Sequence, residues 1–470
     1  MNVRLIILLL LGRTPTGNQS LRRYSSIIRG GATAVLAKIV AIAAGFAAVP
    51  LTLHHLGPER YGLWATLFSI LAWLNLADLG LSNGLMTALS QAFAHERRDL
   101  AREYVYTSFW GLWAIAAVVA IVLLSCYPLI NWSRLMHIDS PAVAREFGTA
   151  IALAAALFFV NLPFKIVGRI LVASQRPEAA NFWTVVNSAG TLTGLIAAIL
   201  AGGGLPALVL GFSGGQVLVS IVSAIWLFAW AHPELAPTGA IARSSLRRVF
   251  GVAASFFVME VATLLLFQSA NVLISHDLGP RYVAPYQVTW MLFMYVTLPQ
   301  QLISASVWAA IGDAYARRDI RWIRGLFRRY ALLSAATGGP LILALIVLAQ
   351  PLVRWWAGEQ VVPRLQLVLW MAVWACVLLI MQPIVAVLAG TGRLRLYSIL
   401  SMIGACVSVV AAARILPIFG ASGVVASYVA GFGTVAMIPA ILQVAGILRE
   451  EGPALVIAAK GHAAEAVTRR

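Results

Sequence analysis

Twelve stretches of about 20 or more largely apolar residues fill most of this chain. A helix of that length is what a hydrocarbon core about 30 Å thick requires. The stretches fall at 29–53, 61–82, 107–131, 147–173, 180–202, 206–231, 248–274, 283–309, 330–353, 365–388, 396–418 and 420–447. None shows the short, strict alternation of a barrel strand. The chain is therefore predicted to be an all-α integral membrane protein with about 12 transmembrane helices. Its composition agrees: 61% of residues are hydrophobic and only 11% charged, against roughly 25% charged in a soluble domain. The apolar stretch Leu5 to Leu11 is too short to span and lacks a small-x-small cleavage site, so residues 1–28 are read as a cytoplasmic leader.

The net charge of +17 does not point to nucleic acid, because the basic residues sit in short loops between apolar runs. With the N-terminus inside, 26 of the 34 Lys and Arg residues fall on the cytoplasmic side and six on the other. That asymmetry predicts both termini to be cytoplasmic. The loops also repeat. His54-His55-Leu56-Gly57-Pro58, followed by Arg60-Tyr61, returns as His276-Asp277-Leu278-Gly279-Pro280-Arg281-Tyr282, and Arg97-Arg98-Asp99 returns as Arg317-Arg318-Asp319. The offset is 222 residues at the first landmark and 220 at the second. Each repeat holds six spans, so the halves share one orientation about a pseudo-twofold axis along the membrane normal. The expected organisation is a leader (1–28), an N-terminal six-helix bundle (29–232), a cytoplasmic linker (233–247), a C-terminal six-helix bundle (248–447) and a cytoplasmic tail (448–470).

Ionisable groups inside a bilayer cost about 2.5–3.5 kcal/mol each at a helix centre on insertion scales, so each needs a partner, a wet cavity or a function. The repeat offset carries Lys38 onto Glu260, opposite charges at equivalent positions in the two halves. Two readings stand: a gate or coupling pair with Glu260 as a proton or cation site, or a static ion pair beside a snorkelling lysine. Gln268 and Asn271 extend the polar character of the seventh span. Asn161, Lys165 and Arg169 recur at i, i+4 and i+8, a stripe suited to an anionic headgroup or to anchoring at the inner interface. Asp78, in Ala77-Asp78-Leu79-Gly80-Leu81-Ser82, marks a broken or capped helix end with a structural or gating role. The histidines lack metal-ligand spacing, the cysteines Cys126, Cys376 and Cys406 lie apart in apolar runs, and no phosphate-binding loop is present. No metal and no cofactor is expected.

Leu56-Gly57-Pro58-x-x-Tyr61-Gly62-Leu63-Trp64, Asp78-Leu79-Gly80-Leu81 and Arg97-Arg98-Asp99 together resemble the N-terminal part of bacterial polysaccharide and O-antigen flippases. These form a branch of the multidrug/oligosaccharidyl-lipid/polysaccharide exporter superfamily. The resemblance implies a V-shaped pair of six-helix bundles working by alternating access. It implies a cargo of undecaprenyl-pyrophosphate-linked oligosaccharide, moved from the inner to the outer leaflet of the bacterial inner membrane, with coupling to H+ or Na+. Expected partners are the polyprenyl-linked oligosaccharide, membrane lipids, and the polymerase and other assembly proteins. A drug or cation antiporter of the same superfamily is the alternative. It would want acidic cavity residues, whereas Glu260 stands against Lys38, Lys165 and Arg169. A membrane-embedded polymerase or ligase would need larger outer loops than the longest here, about residues 132–146. No enzymatic activity is expected.

Overall fold

The computed structural model describes residues 19–239 and 242–449. The expected leader (1–28) and tail (448–470) fall mostly outside the described residues. Among the described residues nine segments are long and apolar enough to cross a membrane. One of these, Thr33–Asp78, holds two spans. With α8 and the α9–α10 pair defined below, the segments answer to the twelve expected spans. The chain divides into two compact units, Met1–Glu260 with Ser275–Ala284, and Val261–Ile274 with Pro285–Arg470.

In the first unit, α1 (Gln19–Leu74) is one helix by hydrogen bonding but turns at Gly57, whose φ of 76° is left-handed. Pro58 follows and cannot donate to the turn before it, so the Leu-Gly-Pro motif separates the first two spans. A 3-10 turn, Asn75–Asp78, closes α1. Leu79 and Gly80 are then left-handed and α2 (Leu81–Ala94) begins. The Asp78 carboxylate accepts from the Ser82 backbone N–H and from its hydroxyl, both at 3.1 Å. It thereby meets one of the unpaired donors of the new helix.

Next come α3 (Arg98–Cys126), α4 (Pro141–Asn161), α5 (Ile166–Ala173), α6 (Pro177–Leu200) and α7 (Leu205–Trp226). Leu81, Leu85 and Leu89 of α2 bury against Val105 and Leu112 of α3 and Ile166 and Ile170 of α5. The opposite faces carry Ile121, Leu124 and Leu200, apolar and exposed as a lipid-facing surface must be. Helices α6 and α7 touch backbone to backbone. A Cβ on Gly194 would overlap the carbonyl oxygen of Gly211, and one on Gly211 would overlap that of Gly194. Small residues of this kind permit the close approach that drives helix association in lipid. The first N–H of α7 donates to Glu146 Oε1 at 2.7 Å, and Arg60 Nε holds the other oxygen of Glu146 at 3.1 Å. The expected linker packs on α3, with Trp110 Nε1 donating to the Pro237 carbonyl at 3.1 Å. It leads into α8 (Arg243–Asp277).

In the second unit α9 (Val283–Met294) and α10 (Leu298–Ala316) are separated by a 3-10 turn, Tyr295–Thr297, with Pro299 in the first turn of α10. The expected continuous span 283–309 is therefore interrupted. Then follow α11 (Ile320–Trp356), α12 (Leu365–Gly390), α13 (Leu394–Phe419), α14 (Ala421–Phe432) and α15 (Ile438–Arg449). Asp319 caps α11 through the Trp322 N–H at 3.0 Å. Helix α12 is the axis of this unit. Its Trp374 is fully buried and meets Tyr428 and Phe432 with ring centroids 6.0 and 5.8 Å away.

Candidate functional site

A cavity of about 210 Å³ opens inside the first unit among the second half of α1, α4 and α7. Its apolar wall is Phe68, Leu71, Leu157 and Phe158, and its polar wall is Asn75, Asn161, Lys165, Ser213 and Gln216. The break at Pro163 creates this geometry. α4 ends at Asn161 and the chain tightens into a 3-10 turn, Leu162–Lys165, before α5 starts. That turn delivers Lys165 to the cavity. Its ammonium donates to Asn75 Oδ1 at 2.6 Å and lies 4.8 Å from the centre of the Phe158 ring. An amide oxygen and a ring face stabilise the charge without neutralising it. Among the described residues no carboxylate stands within 4.0 Å of it. Asn161 is 8% exposed, and its side-chain oxygen meets no hydrogen-bond donor among the described residues. A buried amide oxygen without a donor is costly and marks a place where a ligand or water completes the network.

The same turn corrects the expected stripe. Asn161, Lys165 and Arg169 do not continue on one uninterrupted helix face, because Pro163 cannot sustain α-helical hydrogen bonding through this stretch. Asn161 and Lys165 line the cavity, whereas Arg169 lies on α5 outside its wall. Asp78 is committed to its Ser82 cap. Lys38 and Glu260 are both exposed and no ion pair within 4.0 Å joins them. Gln268 and Asn271 belong to the second unit. There the Asn271 amide donates to Gln287 Oε1 at 2.8 Å.

Two further cavities adjoin. One, of about 230 Å³, lies between α1, α6 and α7 and shares Gln216 with the first. The other, of about 240 Å³, is almost wholly apolar and shares Leu71. Trp64 and Phe68 each pack edge to face with Phe212, with centroids 5.4 and 5.1 Å away, and lie tilted to each other at 4.7 Å; Phe68 and Phe212 line the polar cavities. Asn75, Ser213 and Gln216 are site residues that the sequence reading missed. Ser213 and Gln216 stand one helical turn apart in the run 206–231, and Asn75 lies three positions before Asp78 in the run 61–82. For Asn75 and Gln216, a neutral amide inside a predicted span was the available signal.

Helices long and apolar enough to cross a membrane, packed around a polar cavity, make this a multi-pass membrane protein, and solved structures share the fold. An inward-facing multidrug resistance MATE family transporter of the MOP superfamily superposes with a TM-score of 0.73 at 16% identity, over 87% of this chain and 96% of that one. Its outward-facing counterpart gives 0.61 at 15% identity, over 96% and 100%. A MOP superfamily transporter from Pyrococcus furiosus Vc1, described as having reverse polarity of its binding pocket, gives 0.65 at 15% identity, over 96% and 100%. No curated protein sequence matches. The profile described as polysaccharide biosynthesis protein matches residues 27–311, and the MatE profile matches residues 256–414. The chain belongs to the polysaccharide biosynthesis protein family of MOP superfamily transporters.

Proposed function

We propose that this transporter flips undecaprenyl-pyrophosphate-linked oligosaccharide from the inner to the outer leaflet of a bacterial inner membrane, with both termini cytoplasmic. One observation carries the reading: Lys165 stands in a membrane-depth cavity with a neutral amide as its hydrogen-bond acceptor, beside an Asn161 oxygen that meets no donor among the described residues. An ammonium so placed supplies a charge-assisted donor to a pyrophosphate oxygen. The family match over 27–311 supports a polysaccharide precursor as cargo.

For coupling to H+ the candidate is Glu260, an exposed carboxylate within the seventh span, since Asp78 is held by Ser82. Protonation of Glu260 removes the uncommitted negative charge and strengthens attraction for an anion; deprotonation weakens it. That is a proton-coupled release step built from one cation and one carboxylate. The polymerase and other assembly proteins are the proposed partners on either side of the step.

The MatE match, which includes Glu260, favours a second reading as a drug or cation antiporter. Reconstituted protein separates the two. Movement of a fluorescent undecaprenyl-pyrophosphate-linked sugar, lost in Lys165→Met, supports flipping. Proton-driven ethidium movement that is lost in Glu260→Gln and retained in Lys165→Met supports antiport and overturns the proposal.

A further inference from the structure

The cavity between α1, α6 and α7 carries no charged residue in its wall. One side is Ala41, Ala44, Gly45 and Ala48 of α1, small residues that leave room. The other side presents Asn187, Ser188, Thr191 and Gln216. Much of their hydrogen-bonding capacity is unspent. Gln216 makes no hydrogen bond to any described residue. Asn187 Oδ1 accepts only a long contact of 3.5 Å from the Thr191 hydroxyl. Ser188 donates to the Thr184 carbonyl at 3.0 Å and keeps its lone pairs open. An amide offers two donors and an acceptor oxygen with two lone pairs. At membrane depth such groups exclude a hydrocarbon occupant, which would leave them unpaired. The lack of a counter-charge disfavours an ionic occupant.

What remains is an uncharged ligand rich in both donors and acceptors. Resting on the flippase reading above, we infer that this neutral chamber is a subsite for the sugar attached directly to the pyrophosphate. Gln216 lines both cavities, so an occupant held by it is adjacent to whatever Lys165 holds. The first sugar of a lipid-linked oligosaccharide is covalently adjacent to the phosphates in the same way. Phe212, in the chamber wall and set edge-on to Trp64 and Phe68, offers an apolar surface to the C–H groups of a sugar ring. At about 230 Å³ the chamber is smaller than the roughly 300–1,000 Å³ of drug-sized pockets. It takes a single ring, and the rest of the glycan lies outside it. Selectivity would therefore read the first sugar and tolerate variation beyond it.

The test uses the full-length protein in nanodiscs and two probes, undecaprenyl pyrophosphate and undecaprenyl pyrophosphate bearing one N-acetylhexosamine. The wild type should bind the sugar-bearing probe about tenfold more tightly, the effect of one to two neutral hydrogen bonds. Asn187→Leu and Ser188→Ala, which line only the neutral chamber, should each reduce that preference towards unity while leaving the sugar-free probe unchanged, which also shows that the variant is folded. Gln216→Leu, at the wall shared by both cavities, should weaken the sugar-bearing probe more than the sugar-free one. Equal affinity of the wild type for the two probes overturns the subsite, as does an equal loss for both probes in Asn187→Leu. Failure of the underlying reading looks different: the sugar-free probe then binds Lys165→Met as well as it binds the wild type, or binds neither.

Discussion

Replacing Lys165 by methionine separates a binding cation from a structural one. Among the described residues the lysine makes one hydrogen bond, at 2.6 Å to Asn75, and one ring contact, at 4.8 Å to Phe158. Removing it strands the Asn75 oxygen, at about 1–3 kcal/mol. It also removes a charge whose insertion costs about 2.5–3.5 kcal/mol at a helix centre. These terms nearly cancel, and the methionine keeps contact with Phe158. Stability should change little or rise slightly. Binding should behave differently. A hydrogen bond from a charged donor is worth about 1.5–3 kcal/mol, so affinity for undecaprenyl pyrophosphate should fall roughly 10- to 150-fold. Thermal unfolding of the purified protein and equilibrium binding of that lipid, measured on one preparation, check both halves. A fall in melting temperature with unchanged lipid affinity would refute the reasoning and make Lys165 a structural ion.

Three further outcomes are expected. Glu260→Gln should tighten pyrophosphate binding at neutral pH and lower glycan export in cells, while membrane levels stay normal; unchanged export would remove Glu260 from the coupling step. The double exchange Lys38→Glu with Glu260→Lys should recover no more export than either single variant, since no ion pair joins the two residues; recovery would show that they meet in another state of the cycle. Gly194→Val should sharply reduce the yield of folded protein, because its side chain meets the Gly211 carbonyl, whereas Gly214→Ala, whose Cβ would meet only Leu210 Cδ1 at 3.6 Å, should be tolerated in a thermal-shift comparison.

The fold was legible because the bilayer allows few solutions. Apolar runs must be helices, and the Leu-Gly-Pro motif announces its own break, seen in the left-handed Gly57 and again at Gly279. Helix lengths were less legible, since Arg98–Leu100 and Ile320–Arg329 continue their helices beyond the apolar segment. The site was half visible. Asn161, Lys165 and Asp78 stand out as polar residues in apolar runs, and two of them line the cavity. The offset that matched Lys38 to Glu260 is a relation of ancestry between repeats, and equivalence of position does not imply contact. The Asn75–Lys165 bond spans 90 positions and depends on a 3-10 turn at Pro163, so no local pattern encodes it. Gln216 acquires meaning only when two cavities are seen to share it.

The central claim is movement of a pyrophosphate-linked lipid through a cavity read by Lys165. Proteoliposomes carrying a fluorescent undecaprenyl-pyrophosphate-linked sugar in one leaflet test it most directly. Accessibility of the label to a membrane-impermeant quencher reports the crossing, with and without a proton gradient. The account predicts that wild-type protein speeds the crossing and that the gradient increases it. Lys165→Met should return it to the rate of empty liposomes, and Lys165→Arg should keep most of it. Equal crossing by wild type and Lys165→Met would contradict the account.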